Sequence, residues 1–78
     1  MKPENVKTRQ DFATYLAALQ AEGTSSWENN TLDKFLGALE AYTNDIDGYY
    51  KNNKIALDPY KASWRTLADI IEGAKIYE

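Results

Sequence analysis

The side chains of this chain best suited to chemistry are its carboxylates, and the most suggestive group is Asp45-Ile46-Asp47-Gly48. It overlaps the D-x-D-x-D-G opening of a calcium loop, in which alternate carboxylates and a turn glycine wrap an ion in oxygen. In that register the first ligand falls on Thr43 and the twelfth on Lys54, where a bidentate glutamate is required. A charged lysine cannot ligate calcium, so the match fails at both ends and no metal site is expected. Paired carboxylates also perform acid-base hydrolysis, but one member must then be desolvated so that its pKa rises. The acids here fall on the polar faces of amphipathic segments. Ser25, Ser26 and Ser63 have no histidine to activate them, because the chain contains none, and no glycine-rich phosphate loop occurs. Cysteine is absent too, which removes disulfides and thiolate metal sites. The expectation is a protein that is not an enzyme and carries no cofactor.

Binding is the chemistry that remains. The net charge of -3 is unevenly spread: residues 11 to 50 hold seven acids against Lys34 alone, a net of -6 that leaves +3 for the two ends. Nucleic acid needs a clustered basic face and is not expected as a partner. A protein with a basic surface is. Six tyrosines and two tryptophans supply rigid, amphipathic contact area. Helical spacing assigns Tyr15, Tyr50, Tyr60 and Trp64 to apolar stripes, and leaves Tyr42 and Tyr49 on a stripe border, with Tyr77 at an edge.

The elements that must position these residues are helices. Residues 1–8 are polar, contain Pro3 and show no periodic apolar signal, so they read as a flexible tail, with a single helical domain over 9–78. Thr8 followed by Asp11 is an N-terminal capping pair, Phe12, Tyr15, Leu16 and Leu19 keep helical spacing, and Gly23 supplies a left-handed stop. The connection 24–30 holds one large side chain, Trp27, which either packs over the end of a small core or anchors a partner. Asn30 or Thr31 caps a long second helix whose apolar stripe is Leu32, Phe35, Leu36, Leu39, Ile46 and Tyr50. Tyr42 and Tyr49 border it on one side; Asp33, Glu40 and Asp47 border it on the other. After the break at Gly48 to Asn53, a linker over 51–58 carries Ile55 and Leu57 in a short extended piece. Asp58-Pro59 then signals a third helix with Tyr60, Trp64, Leu67, Ile71 and Ala74 on its apolar face. Three helices with short connections predict an all-α, small antiparallel three-helix bundle. No apolar run reaches the roughly 20 residues that span a bilayer, and the first ten residues lack a signal-peptide core, so a cytoplasmic protein is expected.

The blocks W-E-N-N-T-L-D-K-F-L (27 to 36), D-I-D-G-Y-Y-K-N (45 to 52), S-W-R-T-L-A-D-I-I (63 to 71) and A-K-I-Y-E (74 to 78) together resemble a small bacterial single-domain family of unknown function. The similarity covers most of the chain from Phe12 onward. It implies one domain of similar length and assigns no activity, substrate or catalytic residue. Since Glu28, Asn29, Asp45 and Asp47 are polar, the pattern is not made of core positions alone. An immunity-like role in neutralising a toxin is an analogy drawn from size and charge.

The sequence therefore points to a non-catalytic protein-protein interaction module, a monomer or weak homodimer. Its contact surface would combine Asp33, Glu40 and Asp47 with Trp27, Tyr42 and Tyr49. The alternative is a small ligand-binding domain or enzyme with a pocket near Trp27, Asp45 and Tyr49. An obligate homodimer, formed where the second helix outruns its own monomer, is a third reading.

Overall fold

The computed structural model describes residues 1–77. It contains a 3-10 turn, Pro3–Asn5, and three helices: α1 (Arg9–Glu22), α2 (Leu32–Asn52) and α3 (Trp64–Ala74). No strand occurs among the described residues. The fold is a small all-α three-helix bundle.

The caps explain where α1 and α2 begin. Thr8 Oγ1 accepts from the Asp11 amide at 3.1 Å, while Asp11 Oδ2 accepts from the Lys7 amide at 3.0 Å. The first bond satisfies an amide that the first turn leaves without a partner, and the second ties the residue before the cap to that turn. Gly23 closes α1 at φ 77°, its N–H donating to the Leu19 carbonyl. Of the two expected caps, Asn30 and Thr31, it is Thr31 that accepts from the Lys34 amide at 3.3 Å and opens α2.

α3 is the hub. It packs against α1, α2 and the N-terminal turn, whereas α1 and α2 scarcely touch each other. Phe12 and Trp64 stack at 5.6 Å and Glu22 meets Lys75, so α1 runs in the same sense as α3. Tyr50 meets Thr66 and Tyr42 meets Gly73, so α2 runs against it. The chain measures 32 × 28 × 17 Å. Its thin dimension is less than two helix diameters, as a flat row of helices requires.

Four expectations change. Residues 1–8 are not a loose tail: the turn lies on α3, and Val6, 0% exposed, is buried with Tyr15 and Ala68 against Phe12, Leu19 and Ile71. A lone valine within a polar stretch gives no periodic signal, yet α3 leaves an apolar recess for it. The third helix starts later than Asp58-Pro59. Asp58 Oδ1 accepts from the Tyr60 amide and its carbonyl from Lys61, which makes a turn, and Ser63 Oγ caps α3 through the Thr66 amide at 3.0 Å. Tyr60 is therefore outside any helix and 87% exposed. The linker residues Ile55 and Leu57 are half-buried in an irregular connection.

The stripe of α2 is buried only in part. Ile46 and Tyr50 are buried, Phe35 and Leu39 half-buried, but Leu32 is 72% and Leu36 52% exposed. Length explains this: the 21 residues of α2 span about 31 Å at 1.5 Å per residue, while the 11 residues of α3 span about 16 Å. The first turns of α2 outrun the helix that should cover them.

Candidate functional site

Three groups of side chains surround α3. The first joins α1 to the end of α3. Lys75 Nζ lies 3.0 Å from both Glu22 Oε2 and Glu72 Oε2, and 5.2 Å from the centre of the Trp27 ring. The Trp27 indole donates to Glu22 Oε2 at 2.9 Å and its ring packs on Phe35 at 5.4 Å. Hydrogen bonds from Lys75 and then Trp27 hold the Glu22 carboxyl below its usual range. Tyr15, buried beneath, donates to Glu72 Oε1 at 2.6 Å. Burial chiefly, with that acceptor second, raises its pKa. Trp27 is thus half-buried, with its polar atom and much of its ring engaged inside the fold.

The second group is a clamp on the α3 terminus. Asn29 Nδ2 donates to the carbonyls of Ala74 and Tyr77, both at 2.8 Å, and its own amide donates to the Lys75 carbonyl at 2.9 Å. The carbonyls of Ala74 and Lys75 are ones that a helix end leaves without partners, and the bond to Tyr77 ties down the segment that follows. The Tyr77 hydroxyl in turn donates to Asp45. Polar residues of three separated sequence blocks, at 29, 45 and 77, therefore meet at one end of the fold.

The third group lies between α2 and the other side of α3. Tyr42 stands over Gly73, stacks on Tyr49 at 5.8 Å and meets Tyr77 edge-on at 5.0 Å. Tyr50 is buried and donates to Asp69 Oδ2 at 2.7 Å, with Thr66 Oγ1 at 3.0 Å. Burial pushes the Asp69 pKa above the ordinary 3.8 against the opposing pull of Tyr50 and Arg65. Burial likewise pushes Tyr42 and Tyr50 up to about 12. Asp69 is not among the acids that helical spacing places on the border of α2. Its signal was its position within the apolar run Leu67-Ala68-Asp69-Ile70-Ile71, four residues after Arg65.

The sequence candidates do not share one surface. Asp33, Glu40 and Asp47 are all exposed. Tyr42 and Tyr49 are half-buried on the opposite border of α2 and turn toward the N-terminal segment, where they line a cavity of about 460 Å³. Trp27 lines a different, shallower cleft of about 240 Å³ with Leu32 and Phe35. Asp45 is exposed and paired with Tyr77. The single pocket near Trp27, Asp45 and Tyr49 is therefore not formed, because the first and last open on separate concavities. What the acids do border is the exposed apolar pair: Leu36 lies one helical turn from Leu32, Asp33 and Glu40.

Comparison with known proteins adds a family. Residues 8–78 match DUF7660, a family of unknown function. The chain belongs to DUF7660. No curated protein and no solved structure matches it. The DUF7660 match begins at Thr8, the cap of α1, and so takes in all three helices. Among the described residues no three carboxylates gather to hold a metal ion, and no helix is long and apolar enough to cross a membrane.

Proposed function

We propose that this DUF7660 chain is a non-catalytic module of the bacterial cytoplasm, a monomer or weak homodimer, that docks a basic protein on the first half of α2. The observation that carries this reading is the overhang of α2 past α3, which leaves Leu32 and Leu36 exposed beside Asp33 and Glu40, with Asp47 exposed two turns further along the same border. Apolar anchors beside a row of like charge suit a partner of opposite charge: the acids steer encounter and the leucines hold the complex. The same acids disfavour pairing this face with its own copy, since the rows would repel.

Surface area supports the reading. The accessible surface is 5480 Å², against about 4800 Å² expected for a globular chain of 8.9 kDa. The excess of about 700 Å² approaches the roughly 800 Å² that one partner buries in an interface of standard size. Neutralising a basic toxin domain, as immunity proteins do, is the specific form of this reading that neighbouring genes would test.

Charge reversal at Glu40 and Asp47, and separately Leu36→Ser, tests it by affinity capture from the source cell. The expected outcome is a basic protein retained by the wild type, released at about 0.5 M salt as screening requires, and lost by both variants with helical content intact. Equal capture by all three proteins overturns the proposal.

A further inference from the structure

The cavity between the N-terminal segment and the α2–α3 pair has a volume of about 460 Å³, within the range of small-molecule sites. Tyr42 and Tyr49 line it from α2, Arg65 and Asp69 from α3, and Lys2 and Pro3 from the N-terminal segment. We propose that it binds a small, flat aromatic carboxylate, with the ring against Tyr42 and Tyr49 and the carboxylate on the Arg65 guanidinium. This does not rest on the protein-docking reading, because the cavity lies on the opposite border of α2 from the acidic row.

Hydrogen-bonding capacity decides the ligand's charge. Most acceptors on α3 are already engaged: Asp69 Oδ2 takes the Tyr50 proton, and the two oxygens of Glu72 take those of Tyr15 and Lys75, which leaves Asp69 Oδ1. The buried side-chain atom without a partner is a donor. Arg65 Nε is buried and has no hydrogen-bond partner among the described residues; its 3.4 Å approach to Asp69 Oδ2 is an ion-pair contact without hydrogen-bond geometry. A buried donor left unpaired is costly, and a carboxylate is the acceptor that matches the planar fork of a guanidinium. Glu4 also lines the cavity, but it is exposed and has Lys2 beside it in sequence. A cationic ligand would find one carboxylate oxygen of α3 uncommitted, Asp69 Oδ1, while an anionic one finds the terminal N–H groups of Arg65, since only its Nε approaches Asp69. The paired phenol rings, 5.8 Å apart and tilted, offer faces on which an aromatic ring packs offset or edge-on.

The test is an NMR titration of the whole chain with three probes of one shape: 2-naphthoate, neutral 2-naphthamide and cationic 2-naphthylmethylamine. Naphthoate is expected to shift the signals of Tyr42, Tyr49, Arg65 and Gly73 saturably, with a Kd below about 1 mM, while the amine leaves them in place and the amide binds more weakly. Arg65→Lys keeps the charge but loses the fork and is expected to weaken naphthoate binding about tenfold. Tyr49→Leu removes a ring and is expected to weaken it as well, which carries the test if the Arg65 variant does not fold. The proposal is overturned if the three probes bind alike, if naphthoate moves signals only elsewhere, or if folded Arg65→Lys binds as tightly as the wild type.

Discussion

The phenol ring of Tyr42 occupies the space that a Cβ on Gly73 would need. Gly73 sits inside α3, where alanine is ordinarily better than glycine by about 1 kcal/mol. Here that gain is outweighed, because the ring also stacks on Tyr49 and meets Tyr77 and so has little room to retreat. Overpacking of this kind costs about 1–3 kcal/mol before relaxation. Gly73→Ala is expected to melt several degrees below the wild type, and Tyr42→Leu in the same chain to recover part of the loss. A Gly73→Ala protein more stable than the parent would refute the contact.

Asn29 is expected to be a stability residue. Asn29→Ala removes two side-chain bonds to the end of α3, at about 1 kcal/mol each. Asn29→Asp should be worse: it cannot donate, and it sets a negative charge against a helix C-terminus. Chemical denaturation of the three proteins gives the order, and an aspartate variant at least as stable as the alanine one contradicts the clamp.

The buried tyrosines set the alkaline limit of the fold. Tyr42 and Tyr50 have pKa values raised from 10.0 to about 12, largely by burial, and Tyr15 is raised by the same cause. Between pH 10 and 12 the folded chain therefore holds protons that the unfolded chain has lost, so stability is full below 10 and falls as pH climbs through that window. Tyrosinate absorbance and helical circular dichroism followed together are expected to show these phenols ionising as the helices melt. Complete ionisation of all six tyrosines with the helices intact would contradict it.

Asp69 behaves in the same sense at acid pH. Its folded pKa lies above 3.8, so the contribution of its ionisation equilibrium is fully present below that value and is lost as pH rises through the folded one. Comparing Asp69→Asn with the wild type should show the variant gaining relative stability from pH 3 toward neutrality. A difference that does not change with pH would mean the carboxyl is not desolvated.

Lys54, just past the Asn53 cap of α2, has φ 55°, the left-handed conformation that glycine adopts without a Cβ penalty. Its side chain is exposed. Lys54→Gly is expected to raise stability by about 0.5–1 kcal/mol, read as a higher denaturation midpoint.

The helix boundaries that could be read in the sequence were those whose caps act locally. Thr8 with Asp11, Gly23 and Thr31 satisfy backbone groups within one turn, and they stand where expected. Asp58-Pro59 and Ser63-x-x-Thr66 are both competent starts, and the choice between them is tertiary: Trp64 packs on Phe12 and Thr66 meets Tyr50. The burial of Val6 and the exposure of Leu32 and Leu36 escape periodicity for a related reason, because a helix pattern marks which face is apolar but not how far its neighbour extends. Arg65 and Asp69 were hidden within an amphipathic helix, where an acid inside the apolar run 67–71 was the legible clue.

The central place of α3 bears on the order in which the chain acquires structure during synthesis. Translation delivers Val6, α1 and all of α2 before Ser63, yet the surfaces these segments need are Ala68, Ile71 and Gly73. A nascent chain stalled before residue 64 has two helical segments with almost nothing to pack on, and isolated helices of that length are marginal in water. Folding thus awaits the emergence of α3 from the ribosome, and until then Ile46 and Tyr50 of α2 and the valine near the N-terminus lack the surface that buries them.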